Sequence, residues 1–173
     1  WMTIPLAGYA AAGDVRKPYG SGIAEVVPYQ AFETADGWMM VAAGNDNLFR
    51  KLCTALDLGA LAEDPAFATN AARVTNRERL IPVIAEAIAR WQPDALGERL
   101  DSLGVPNAPL LAVDAVAAHP QTKALDMTVE ADGLDLVGVP LALGGKRPRA
   151  RSPAPRLGEH DPTVKTKPNE GRK

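Results

Sequence analysis

The stretch VPYQAFETADGWMMVAAGNDNLF, Val27 to Phe49, decides the fold. Tyr29, Phe32 and Thr34 are β-prone, and Ala35-Asp36-Gly37 carries turn chemistry, with Gly37 able to take a positive φ. Trp38-Met39-Met40-Val41-Ala42-Ala43 is a nearly unbroken apolar run, short enough for a buried strand. Gly44 breaks it. Asn45 or Asp46 can then cap a helix whose apolar face is Leu48, Phe49, Leu52, Cys53 and Leu56. The pattern predicts a hairpin docked under a helix, and by itself no chemistry.

On the N-terminal side, Trp1 to Ala12 is apolar and Ala-rich and reads as the exposed end of a helix, stopped by Gly13-Asp14. Lys17-Pro18-Tyr19-Gly20-Ser21-Gly22-Ile23-Ala24 follows as a loop. Gly20 and Gly22 let the backbone approach a ligand closely, or simply turn as a flexible connector. It is not a Walker loop, because no Gly-Lys-Ser/Thr follows, and it is not GxGxxG after a strand.

On the C-terminal side, the first helix ends near Asp57-Leu58-Gly59, and Asp64-Pro65 opens a short turn anchored by Phe67. Arg73 to Trp91 is the longest helical signal. Asn76 is the expected cap, and Leu80, Ile81, Ile84, Ile88 and Trp91 form one stripe. Pro82 falls in the first turns, where a missing N–H is tolerated. Arg77, Glu78, Arg79 and Glu86 read as a solvated face. Pro93 restarts a helix through Leu96, Leu100 and Leu103, ended by Gly104. Val105 to Leu111 is extended, its two prolines favouring an edge or lining strand. Val113–Ala118 and Gln121–Leu125 read as short helices separated by His119-Pro120, and Met127–Glu130 and Leu134–Val139 as strands around Asp132-Gly133. From Ala142 onward the chain is rich in Gly, Pro and Arg, without periodicity. Hairpins and helices without a βαβ series give the α+β class.

Composition narrows the function classes. A chain of 173 residues suits one ordinary domain or two small ones, and 46% hydrophobic residues can bury a core. The 19 basic and 21 acidic residues nearly balance, so nothing points to nucleic acid or an anionic membrane as partner. No apolar run approaches the roughly 18 residues of a membrane span, and no secretory signal is visible in these residues. The single cysteine, Cys53, cannot form an internal disulfide, which points to a reducing compartment, the cytoplasm. The chain starts on Trp1, and its polar tail, residues 162–173, is expected to be disordered. Both ends suggest part of something longer.

The chemistry-bearing residues are few. His119 and His160 share no metal-ligand spacing with another His or Cys, so no metal site is expected. No GxSxG elbow is present. His119, before a proline at a helix break, is open to a structural or a catalytic reading. Cys53 reads as a core residue, Asp36 as a turn residue, and Asp46 as a carboxylate at a helix start. Lys146, Arg147, Arg149, Arg151 and Arg156 can meet phosphates or form a solvated tail.

Several of these stretches, taken together, resemble the class III CoA-transferase family, also called CaiB/BaiF. The resemblance runs through Tyr19-Gly20-Ser21-Gly22, then VPYQAFETADGWMMVAAGNDNLFRKLC, then Asp64-Pro65-Ala66-Phe67 with Asn70 and Arg73. It continues through GVPNAPLL (Gly104 to Leu111), His119-Pro120-Gln121, and SPAPRLGEH (Ser152 to His160), in the family's order, over residues 8 to 161 or so. It implies a C-terminal portion of a longer enzyme. In the family a small α+β domain is inserted in a Rossmann-like large domain, and two chains interlock as a homodimer. Residues 1–27 would then be the end of a large-domain helix, the connector and the glycine loop. Residues 28–131 would be the small domain, and residues 132–161 the return to the missing N-terminal large domain.

The activity implied is transfer of CoA between an acyl-CoA and a carboxylic acid through an aspartyl-CoA intermediate. No cofactor is held permanently, and the CoA thioester is a substrate. The family's nucleophilic aspartate lies upstream of Trp1, so no catalytic residue is assigned in this chain. Gly20, Ser21 and Gly22 match the loop that covers the reacting carboxylate, and Asn45 and Asp46 are the other candidate CoA contacts. Many members follow the glycines with His-Pro, where this chain has Ile23-Ala24. Members also have a further helix after the GEH segment, where this chain has its polar tail. Two alternatives stand beside the transferase. One is an α-methylacyl-CoA racemase of the same fold, in which Asp46 stands near an acidic position. The other is a binding or dimerisation module without chemistry.

Overall fold

The structure, a computed structural model, describes residues 2–131, 133–148 and 154–160. The chain divides into two compact units, Trp1–Leu110 and Leu111–Lys173. The first contains helix α1 (Thr3–Ala12), strands β1 (Tyr29–Glu33) and β2 (Trp38–Ala42), and helices α2 (Asp46–Ala55) and α3 (Gly59–Glu63). Helices α4 (Asn70–Thr75), α5 (Arg77–Ile88) and α6 (Pro93–Ser102) and strand β3 (Asn107–Pro109) complete it. These helices and antiparallel strands confirm the α+β class.

Strands β1, β2 and β3 form one antiparallel sheet in that order. Tyr29 faces Ala42 and Glu33 faces Trp38 across the hairpin, and Val41 faces Asn107 on β3. The turn forms as expected. Gly37 sits at φ 88°, and the buried Thr34 hydroxyl donates to the carbonyls of Asp36 and Gly37, each at 3.0 Å. The apolar run 38–43 is half-buried rather than buried throughout. Met39, Val41 and Ala43 face the core, while Trp38 is exposed, because alternate strand residues point to opposite faces.

Asn45 is the cap of α2: its Oδ1 accepts from the Leu48 N–H at 2.8 Å. Phe49, Leu52, Cys53 and Leu56 are buried as the stripe required. The long helical signal divides into α4 and α5 at Asn76. The α4 cap is Thr69, whose hydroxyl accepts from the Ala72 N–H. Asn76 occupies the N-cap position of α5 as expected, but its side chain makes no capping bond; its Nδ2 donates to the carbonyls of Ala66 and Ala72 at 3.1 and 3.0 Å. The core joins Phe32, Met39 and Val41 of the sheet to Phe49, Leu52, Leu80, Ile84, Ile88, Leu96 and Leu100 of the helices. Each such side chain contributes about 1.5–3 kcal/mol by leaving water.

The second unit contains short helices α7 (Val113–Ala118) and α8 (Pro120–Ala124) and the antiparallel hairpin of β4 (Thr128–Ala131) and β5 (Leu134–Val137). His119 caps α8 through Nδ1, which accepts from the Gln121 N–H at 3.1 Å, so a local structural use accounts for it. Asp132, Arg149, Arg151, Ser152, Pro153 and the 162–173 tail lie outside the described residues. No helix among the described residues is long and apolar enough to cross a membrane.

Candidate functional site

The glycine loop is built onto the open edge of the sheet. The bonds from the Ala43 N–H to the Pro28 carbonyl and from the Thr34 N–H to the Gly37 carbonyl put the backbone groups of even-numbered β1 residues toward β2, which leaves the Ala31 N–H on the free edge. Ser21 Oγ accepts it at 3.0 Å. An unpaired strand edge is a docking hazard, and here one loop hydroxyl blunts it. The loop closes on itself as a turn: the Gly22 N–H donates to the Tyr19 carbonyl at 2.9 Å, and Gly20 occupies the left-handed region at φ 61°. Gly22 also sits in close quarters. A Cβ there would lie 3.1 Å from the Tyr19 carbonyl oxygen and 3.3 Å from Gln30 Oε1.

One helical stripe then fastens the backbone that follows the loop. Asn70, Arg73 and Arg77 are spaced three and four residues apart, so they lie on one face of the α4–α5 segment. Asn70 brackets residues 25–27: its Oδ1 accepts from the Val27 N–H at 3.1 Å, and its Nδ2 donates to the Glu25 carbonyl at 2.7 Å. Arg73 donates to the Val27 carbonyl at 2.7 Å and to the Phe67 carbonyl at 3.0 Å. Arg77 donates to the carbonyls of Ile23 and Ala24 at 2.6 and 2.8 Å, and its guanidinium lies 4.3 Å from the Tyr19 ring centre. Arg77 therefore does not belong to a solvated face.

Arg73 is the electrostatic centre of this unit. Its side chain is 0% exposed, donates to Asp46 Oδ1 at 2.9 Å, and stacks 4.6 Å from the Phe49 ring centre. Asp46 is thus both a helix-start carboxylate and the partner of a buried cation, with its own side chain half-exposed. Burial pushes the nearby Cys53 thiol up to about 11, against the pull of the Arg73 charge. Gly44 packs against the same segment, since a Cβ there would meet Val26 Cγ1 at 3.0 Å.

The sequence-predicted residues therefore fall in two places. Gly20, Ser21 and Gly22 form the edge turn, and Asn45 and Asp46 form the N-terminus of α2. The 23–27 segment links them, gripped from the helical stripe. Asn70 and Arg73 stand out in the sequence only as part of a motif, and Arg77 only as a surface charge; their 3-and-4 spacing is the signal that points to a shared role. In the second unit, Lys146 and Arg147 line an open cleft of about 450 Å³ with Ala124, Leu125, Asp126 and Gly145. Arg147 Nη1 donates to the Val139 carbonyl at 3.1 Å. Among the described residues, no group of three or more His, Cys, Asp or Glu side chains is arranged to hold a metal ion.

Comparison with known proteins gives this geometry a context. Residues 1–161 match CoA-transferase family III. The chain is 33% identical over 150 residues to a succinate–glutarate CoA-transferase of Agrobacterium fabrum, covering 84% of this chain and 38% of that protein. It is 32% identical over 162 residues to the human succinyl-CoA:glutarate CoA-transferase, covering 89% of this chain and 36% of the relative. Among solved structures, a CaiB/BaiF family protein from Brucella suis superposes with a TM-score of 0.76 at 36% identity, over 92% of this chain and 42% of the other. The chain thus spans less than two fifths of the length of the two curated relatives. With a match running over nearly all its residues, the chain belongs to CoA-transferase family III.

Proposed function

We propose that this chain is the small-domain portion of an enzyme that moves CoA between an acyl-CoA and a carboxylic acid. The match of residues 1–161 to the family carries the reading. The names of the two curated relatives point to succinyl-CoA as donor and a short dicarboxylate such as glutarate as acceptor. Residues 28–131 would form the small domain and 132–161 the return to a Rossmann-like large domain. The partial coverage of the relatives supports that division of labour.

The chemistry is covalent catalysis by an aspartate that the large domain supplies. Its carboxylate attacks the thioester carbonyl, the C–S bond breaks, and CoA thiolate leaves a mixed anhydride. The thiolate then attacks the aspartyl carbonyl of the anhydride, releasing the donor's acid and forming an aspartyl-CoA thioester. The acceptor carboxylate runs the same two steps in reverse. An anhydride is lost to any water that reaches it, so a cover is part of the mechanism.

Gly20, Ser21 and Gly22 are that cover. The N–H groups of Gly20 and Ser21, the central residues of the turn, lie outside the turn's own hydrogen bond and would face a developing oxyanion. Asn45 and Asp46 would meet the CoA arm through the atoms their internal bonds leave over: Asn45 Nδ2 as donor and Asp46 Oδ2 as acceptor of an amide N–H. Without the large domain this chain should not turn over substrate.

The test is to incubate the full gene product with succinyl-CoA and a panel of carboxylic acids, following new acyl-CoA by mass spectrometry. Glutaryl-CoA is the expected product. Exchange with no acid in the panel refutes the reading.

A further inference from the structure

We infer that Arg77 is a positioning residue for the glycine loop, holding it shut against water while CoA is transferred. The inference rests on the function proposed above. One guanidinium grips both flanks of the turn. It lies 4.3 Å from the ring of Tyr19, the residue before Gly20, and donates to the carbonyl of Ile23, the residue after Gly22, at 2.6 Å. A further bond at 2.8 Å to the Ala24 carbonyl fixes the same guanidinium nitrogen to the outgoing chain. The turn has its own closing bond from the Gly22 N–H and one anchor to the sheet through Ser21 Oγ.

Both of those are neutral hydrogen bonds, whereas the Arg77 bonds are charge-assisted and stronger. Arg77 begins α5, whose Leu80, Ile84 and Ile88 are in the core, so the grip is tied to the packed interior of this unit. The loop is therefore not a free flap. Its rest position is held by the Arg77 guanidinium at its flanks together with the Ser21 anchor to the sheet.

A loosened cover changes the outcome of the reaction and not only its rate. Water then replaces the acceptor acid. Its oxygen bonds to the activated acyl carbon, the bond to the leaving group breaks, and one water proton ends on the departing thiolate or carboxylate. The net reaction is acyl-CoA plus water giving acid plus CoA thiol. The ratio of hydrolysis to transfer is the diagnostic quantity, because a merely weakened fold lowers both rates together.

The experiment uses the full gene product with Arg77→Met. Losing charge-assisted hydrogen bonds should raise opening of the loop about tenfold or more. That is read as faster hydrogen exchange at the Gly22 and Ala31 amides, with exchange in α2 and α6 unchanged. The hydrolysis-to-transfer ratio measured with succinyl-CoA and glutarate should rise severalfold. Tyr19→Ala removes only an exposed ring from under the guanidinium, keeps the fold, and should move both readouts in the same direction by less. Unchanged exchange at Gly22 and Ala31 in both variants overturns the inference. Faster exchange with an unmoved ratio overturns it too. A wild-type protein that moves no CoA overturns the proposed function instead, and the exchange data then still decide whether Arg77 holds the loop.

Discussion

Replacing Arg73 by Met should be among the most damaging single changes to the Trp1–Leu110 unit. The side chain is 0% exposed and donates to the Val27 carbonyl, the Phe67 carbonyl and Asp46 Oδ1 at 2.7, 3.0 and 2.9 Å. Methionine fits the volume against Phe49 but donates nothing. Each abandoned buried carbonyl costs about 1–3 kcal/mol of lost hydrogen bonding. Asp46 adds less, at most about 1 kcal/mol, because its half-exposed carboxylate can be rehydrated. The pieces are not additive, and the two abandoned carbonyls dominate, so about 3–5 kcal/mol is the expected total. That is a large share of the roughly 5–15 kcal/mol by which a domain is stable. Urea unfolding followed by the fluorescence of half-buried Trp91 measures it. Arg73→Lys keeps the charge but not the planar fork, and should recover about half. A loss below about 1 kcal/mol for Arg73→Met, the scale of a surface substitution, would refute the idea that this side chain organises the unit.

Two further outcomes follow from the same corner of the fold. The Cys53 thiol should resist maleimide at neutral pH in the native protein and react on unfolding, since burial raises it from the ordinary 9.0 to about 11. The folded state then keeps the proton that the unfolded state gives up above pH ~9. The stability that this thiol contributes is full below that pH and falls by roughly 2–3 kcal/mol as pH rises to ~11, and Cys53→Ala should remove that part of the slope. Asn45→Ala should remove the bond from the Leu48 N–H and cost about 1 kcal/mol in a thermal melt, whereas Asn45→Asp should restore most of it.

The hairpin, the α2 cap and the β3 edge strand were legible in the sequence because each has a local cause. Ala35-Asp36-Gly37 needs a turn, Asn45 sits three residues before an apolar stripe, and Pro106 and Pro109 forbid a helix. What escaped the sequence depends on distant partners. Arg73 through Trp91 reads as one helix, and the break at Asn76 arises because that side chain is committed to the Ala66 carbonyl, ten residues back. The five-residue α3, Gly59–Glu63, is too short to show a period. Arg77 reads as a solvated charge, and Arg73 shows only as part of a motif, because nothing local reveals that they serve backbone carbonyls some fifty residues away. The glycine loop was visible as a loop. Its docking on the sheet edge through Ser21 was not, since a serine hydroxyl has many possible partners.

In the function we propose, this chain covers a reactive carboxylate supplied by another stretch of the same protein. The most direct measurement is to incubate the full gene product with succinyl-CoA alone, trap the covalent CoA adduct, and map it by peptide mass spectrometry. The account predicts the adduct on an aspartate outside these 173 residues. An adduct on Asp14, Asp36, Asp46 or any other residue of this chain would contradict it.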